Sequence, residues 1–347
     1  MFDRLIGNNE IKSIVRRMIA SGRMPRSLLF AGPEGSGKRE FALEIARAFV
    51  CVSKVGDEGC GHCSACVRAA KYTFPEADAK KDNFEHVFLS EHTDVGTVIP
   101  CRNNILVESV RELEREANFL PYEASARFFI IDDADRMNDA ASNALLKTLE
   151  EPPATSYIFL VTARPDTLLS TIRSRCQTLR FAPVPDAEVA SLLMRERRLP
   201  AADADLIARI SGGSVGRALA FDLERFRDQR AAMLGIVESI AGDRPDLAAL
   251  LSASERLSDA KLKDEFYDRL DILQLLVRDI WTIHLGRDAV SAVNADLAPR
   301  LAALARSLRG QKIPDWMESI ETLRERRVLN LNKKIATDAL LVGMCAG

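Results

Sequence analysis

The segment Gly32-Pro33-Glu34-Gly35-Ser36-Gly37-Lys38 sits between a short apolar run, Ser27-Leu28-Leu29-Phe30-Ala31, and a helical stretch from about Lys38 to Val50. A glycine-rich loop that ends a strand and opens a helix is a phosphate cradle. Its glycines let backbone N–H groups turn toward phosphate oxygens, and the helix N-terminus adds positive partial charge. Lys38 stands where a Walker A lysine reaches the outer phosphates. A glycine-rich turn carrying a surface lysine is the plainer alternative, but it would not require both flanks. A loop of this kind asks for a parallel sheet with helices packed on it.

The chain around the loop meets that demand. Phe128 to Asp132 reads as a strand ending in acids, and Tyr157 to Thr162 as one ending in a hydroxyl. Between them Ala141, Leu145 and Leu149 recur at helical spacing. Asn138 or Asp139 can cap that helix, and Pro152-Pro153 ends it. From Tyr72 to Asn104 the pattern yields one strand, His86 to Leu89, and then a loop, because Asp94 to Asn104 lacks periodicity. Short helices follow from about 166 to 225, broken at Ser211-Gly212-Gly213-Ser214. Beyond 226 the chain reads as entirely helical, with Phe266, Leu270, Leu273, Val277, Ile280 and His284 along one helix face. At 347 residues the chain is long enough for two or three domains. The expected division is an α/β domain over 1–165, a small helical lid over 166–225 and an all-α domain over 226–347.

Two positions bear on nucleotide chemistry. The Walker A pattern calls next for Ser or Thr, whose hydroxyl ligates Mg²⁺. Here the residue is Arg39, which cannot ligate a cation. The partner motif, Walker B, fits Ile130-Ile131-Asp132-Asp133. Asp132 would position the metal or its water, and Asp133 would polarise the attacking water. Acids at a strand end can also be merely solvated; the phosphate loop about a hundred residues upstream favours the catalytic reading.

Of seven cysteines, Cys101, Cys176 and Cys345 are scattered, while Cys51, Cys60, Cys63 and Cys66 share one short segment. Four thiolates complete a closed tetrahedral Zn²⁺ site, which points to a structural role, since catalytic zinc keeps an open position. His62 lies within the cluster but is not needed by it. The net charge is −2, so any contact with DNA must be local or made through partners. Met1-Phe2-Asp3-Arg4 is charged where a signal peptide is apolar, and no apolar run approaches the ~20 residues of a membrane helix. A cytoplasmic location without membrane contact is expected.

With the cysteine module just after the loop helix, two further stretches complete a pattern. They are Asn143-Ala144-Leu145-Leu146-Lys147-Thr148-Leu149-Glu150-Glu151-Pro152-Pro153 and Ser174-Arg175-Cys176. Together they resemble the bacterial clamp-loader subunits of DNA polymerase III, a branch of the AAA+ family, over nearly the whole chain and more thinly after residue 226. The resemblance implies an AAA+ P-loop domain, a helical lid and a C-terminal helical collar that assembles a five-subunit ring. It implies that Arg175 is an arginine finger acting in trans on the neighbour's ATP, that Thr162 holds the sensor-1 position and that Arg217 holds sensor-2. Either of the last two has a plainer reading, as a strand-end hydroxyl or a surface arginine. Within that family an intact finger, Arg39 in Walker A and Asp133 in place of the usual Glu match the delta-prime type. Its own ATPase is then absent or weak, with ATP or ADP binding left open. Its partners are gamma/tau motors, the delta subunit, the sliding clamp and, through the complex, primer–template DNA. A gamma/tau-type motor would instead turn over Mg·ATP through Lys38. A P-loop small-molecule kinase would transfer phosphate as a monomer and leave the cysteines and Ser-Arg-Cys unexplained. A zinc scaffold with a vestigial loop overlaps with the main reading.

Overall fold

The computed structural model describes residues 2–54, 56, 58–74, 86–101, 103–241, 254–255, 265–288, 292–308, 310, 312–326 and 332–346. They form two compact units, Met1–Ala204 with Ser211–Ala220, and Asp205–Ile210 with Phe221–Gly347.

The first unit opens with α1 (Asn9–Ala20), β1 (Ser27–Ala31), α2 (Lys38–Val50) and α3 (Ser64–Arg68). It continues with β2 (Phe88–Leu89), β3 (Val95–Val98), α4 (Val107–Ala117), β4 (Arg127–Ile131), α5 (Asp139–Glu150) and β5 (Ser156–Thr162). Next come α6 (Ser170–Arg173), β6 (Gln177–Arg180) and α7 (Asp186–Glu196). The strands form one sheet in the order β2-β3-β4-β5-β1-β6. All neighbours are parallel except the β2–β3 edge pair.

The central strands are buried on both faces, and their side chains alternate between two layers. Leu28, Phe30, Phe128, Ile130, Phe159 and Val161 pack with Phe41 and Ile45 of α2. Leu29, Phe129, Ile131, Ile158 and Leu160 pack on the other face with Leu113 of α4 and Leu145 and Leu149 of α5. The result is the α/β layering on a mostly parallel sheet expected from the sequence. The strands of the register Ala31↔Thr162 and Ile131↔Leu160 end together, which gathers the phosphate loop, Asp132 and Thr162 at one edge of the sheet. Ligands of open parallel sheets bind at that carboxyl edge.

Three local readings are corrected. Asp94 to Asn104 is not a plain loop, since Val95–Val98 forms β3 between β2 and β4. Gly96 fits there because a Cβ would come within 2.9 Å of Val87, and the Thr97 hydroxyl donates to the Ile130 carbonyl at 3.0 Å. The strand before it is shorter than His86 to Leu89, covering Phe88–Leu89. β6 lies within the stretch read as short helices and pairs with β1, so the sheet extends past residue 165. Residues 75–85 and 102 of the stretch from Tyr72 to Asn104 lie outside the described residues.

α8 (Ala201–Ser211) and α9 (Val215–Ala220) follow, separated by the Gly212-Gly213 break. The second unit then carries α10 (Leu223–Ala241), α11 (Glu265–His284), α12 (Ala298–Ser307), α13 (Lys312–Glu325) and α14 (Lys333–Ala346), with no strand among its described residues. The expected stripe on α11 is buried from Phe266 to Ile280. His284 closes it with Nδ1 2.9 Å from the Ala305 carbonyl. The Trp316 indole N–H donates to the Met344 carbonyl at 3.0 Å, tying α13 to α14. Arg230, nearly fully buried, is held by Asn294 and by both oxygens of Asp296. No helix of the described residues is long and apolar enough to cross a membrane.

Candidate functional site

The phosphate loop is shaped by glycines at 35 and 37 with φ of 71° and 85°, a region that side chains disfavour. Gly35 is doubly required, because a Cβ there would lie 1.9 Å from the Ser214 hydroxyl. Its carbonyl accepts the Val215 N–H at 2.9 Å, so the start of α9 rests on the loop. Lys38 is almost fully buried, and its ammonium donates to the carbonyls of Gly32 (2.8 Å) and Pro33 (2.6 Å). Burial pushes its pKa down against the opposing pull of the Asp132 and Asp133 carboxylates. Two of the three ammonium protons thus brace the loop, leaving one for a ligand.

Asp132 follows β4 and faces α2. One carboxylate oxygen accepts the Asp133 N–H at 3.2 Å, and the other pairs with the Arg39 guanidinium at 3.5 Å. Burial raises the Asp132 pKa, and the Arg39 charge opposes it. The residues therefore do not fit a Mg²⁺ ion. The hydroxyl ligand is missing at position 39, and a cationic side chain already engages the acid that would position the metal. Asp133 has φ of 47° and turns its carboxylate to Arg136 at 3.4 Å.

Thr162 is fully buried beside the loop, and its carbonyl accepts the Gly32 N–H at 3.3 Å. Its hydroxyl donates to Asp135 at 2.7 Å and accepts the Arg164 N–H at 2.9 Å. Arg164 also grips Asp135 through Nε and Nη2, at 2.9 and 2.7 Å. Asp135 and Arg164 escaped the sequence reading. Asp135 is the third acid of Asp132-Asp133-Ala134-Asp135, and only the fold separates their roles. Arg217 is exposed on α9, one residue beyond the contacts that Val215 and Gly216 make with Gly35.

Arg175 is elsewhere. Gln177 pairs with Leu28 near the start of β1, so the Ser174-Arg175-Cys176 turn lies toward the opposite edge of the sheet from the loop. The five residues of β1 separate the two by ~17 Å. Cys176 is buried in the core under α5 and α6, and burial pushes its thiol up to about 12. That anchor turns the neighbouring Arg175 outward. Its guanidinium pairs with Glu150 at 2.5 Å and donates to the Thr171 carbonyl at 3.0 Å.

Cys51, Cys60, Cys63 and Cys66 converge after α2, with all four sulfurs within 4.8 Å of one another. Tetrahedral bonds of about 2.3 Å to a metal place sulfurs ~3.8 Å apart, and Cys51 and Cys63 stand at 3.8 Å. Backbone N–H groups of Cys60, Cys63 and Cys66 point at the sulfurs of Cys51, Cys60 and Cys63, at 3.2, 3.3 and 3.5 Å. Such donors suit thiolates. The cluster can hold a metal ion. His62 is exposed, with Nδ1 3.0 Å from the Cys60 carbonyl, and is not among the four converging ligands.

A family profile described as DNA polymerase III, delta subunit, matches residues 7–185, and a C-terminal profile of the same description matches residues 225–344. The DNA polymerase III subunit delta' of Escherichia coli (strain K12) is 31% identical over 336 residues, covering 94% of this chain and 91% of that protein. The delta' subunit of Bacillus subtilis (strain 168) is 26% identical, covering 93% of each. A gamma/tau subunit of Mycobacterium tuberculosis (strain ATCC 25618 / H37Rv) is 30% identical over 218 residues, 61% of this chain and 35% of that protein.

Proposed function

This chain belongs to the delta-prime subunit family of DNA polymerase III, and on that premise we propose that it serves its clamp loader as a finger donor without an ATPase of its own. The observation that carries this reading is the separation of Arg175 from the chain's own phosphate loop, on opposite edges of one sheet. A guanidinium there has no route to the chain's own γ-phosphate. Presented to a gamma/tau neighbour, it stabilises charge developing on that neighbour's γ-phosphate, an effect worth about 10³ to 10⁵ in rate in GTPases. Arginine suits the task because it stays charged and offers fixed, planar donors.

The local site is consistent with this division of labour. Arg39 replaces the metal-ligating hydroxyl, Asp133 turns to Arg136, and the Thr162 hydroxyl is spent on Asp135. A gamma/tau-type motor would need a hydroxyl at position 39 and the Asp133 and Thr162 side chains free for Mg·ATP. The ion at Cys51, Cys60, Cys63 and Cys66 is Zn²⁺ in a structural role, chosen because four thiolates close its shell. Residues 166–225 act as a lid, and the helices beyond 226 as the collar that holds the ring of motors and delta subunit. ATP binding by the motors then readies the ring for the sliding clamp, and primer–template DNA triggers hydrolysis and release.

Assembly tests this directly. Purified chain mixed with gamma/tau and delta subunits should elute as one complex, and clamp loading on primed DNA should require it. A chain that stays apart from both, or loading that proceeds equally well without it, contradicts the proposal.

A further inference from the structure

A phosphate loop that lacks its metal-binding hydroxyl is usually read as a lost function. The residue in its place here has a specific partner. The Arg39 guanidinium lies against the Asp132 carboxylate at 3.5 Å and beneath the Phe74 ring, 5.6 Å from its centroid. Asp132 is largely buried, with its other oxygen held by the Asp133 N–H. An unneutralised carboxylate in that position would carry a desolvation cost, and the arginine supplies the positive charge that Mg²⁺ would otherwise bring.

We infer that Arg39 is a built-in replacement for the divalent cation, so that this loop holds the phosphates of a nucleoside diphosphate without a metal. The parts needed for that are in place. The first turn of α2 begins at Lys38, and its N–H groups have no intrahelical partners by construction. The glycines that aim those groups keep their positive φ. Lys38 retains one ammonium proton beyond the two given to Gly32 and Pro33. Guanidinium carries five N–H donors and suits phosphate oxygens in pairs. Its recorded ion pair is with Asp132 and its ring contact with Phe74. A single positive charge fixed to the chain replaces an exchangeable double charge. That arrangement favours holding phosphates over cleaving them, since the metal also neutralises charge in the transition state. The inference rests on the phosphate-loop reading of residues 32–38 and not on the action of Arg175, so either can fail alone.

The test is equilibrium binding of a fluorescent ADP analogue to the full-length chain by itself, in EDTA and in millimolar Mg²⁺. Wild type should bind in both, with affinities within about twofold of each other. Arg39→Thr restores the metal-ligating hydroxyl and removes the competing cation. It should bind poorly in EDTA and gain at least about tenfold in affinity on adding Mg²⁺. Arg39→Lys keeps a positive charge and should remain insensitive to metal, which separates charge replacement from a general disturbance of the loop. Wild-type binding that Mg²⁺ strengthens tenfold or more overturns the inference. So does an Arg39→Thr chain that ignores Mg²⁺, and so does a wild-type chain that binds no nucleotide in either buffer.

Discussion

Asp135 shows how much of the site depends on groups that carry no motif. Its carboxylate is almost wholly enclosed, between the Thr162 hydroxyl and the Arg164 guanidinium. Burial raises its pKa, but the Thr162 hydrogen bond and the Arg164 pair outweigh burial and hold it below the ordinary carboxylate range. A carboxylate depressed in the folded state stabilises fully above its unfolded pKa, about 4, and that contribution fades as pH falls through the lower folded value. Asp135→Asn should therefore lower the melting temperature at pH 7, and its gap from wild type should close progressively below about pH 4. Melting curves from pH 7 to pH 3 check this; a gap independent of pH would mean that the pair with Arg164 contributes nothing. The sequence marked Lys38, Asp132 and Thr162 because motif spacing places them at strand ends, and it marked Arg39 as a departure. It did not reveal Asp135 or the Arg39–Asp132 pair, because both arise from strands whose order in the sheet differs from their order in the chain.

At the level of elements, legibility follows burial symmetry and local chemistry. β1, β4 and β5 announce themselves as apolar runs because both their faces are covered. α5 begins where the Asn138 side chain accepts the Ala141 N–H at 2.8 Å, which settles the choice between two candidate caps. β3 stayed hidden because Gly96 and Thr97 interrupt its apolar pattern for reasons of close packing and a cross-strand hydrogen bond. β6 stayed hidden as an edge strand with only Leu179 buried. The cysteine loop is the opposite case, an element specified by ligand spacing with little apolar pattern of its own. Cys63 sits at its centre, beside Cys51 and at the head of α3. Cys63→Ser should reduce zinc from about one ion per chain to a small fraction by elemental analysis. It should speed amide exchange around Cys60 and Cys66 and leave ring assembly intact. Wild-type protein purified without chelator and free of zinc would remove the metal from this account.

At the scale of the whole molecule, the chain divides into two compact units of different make-up. The first unit holds the phosphate loop and the Arg175 turn on opposite edges of a sheet. The second is an all-helical body among its described residues, with buried apolar side chains on each of α10 to α14. Its helical character was legible from the stripe on α11, whereas the extension of the sheet to β6 was not. On the proposed reading, this chain acts on a nucleotide held by its neighbour. The most direct measurement is the DNA- and clamp-stimulated ATPase rate of the reconstituted loader, comparing Arg175→Ala and Lys38→Ala in this chain with wild type. The account predicts a loss of at least about a hundredfold at the neighbouring site from Arg175→Ala and little change from Lys38→Ala. Damage from Lys38→Ala with Arg175→Ala silent would make this chain a motor and contradict the account at its centre.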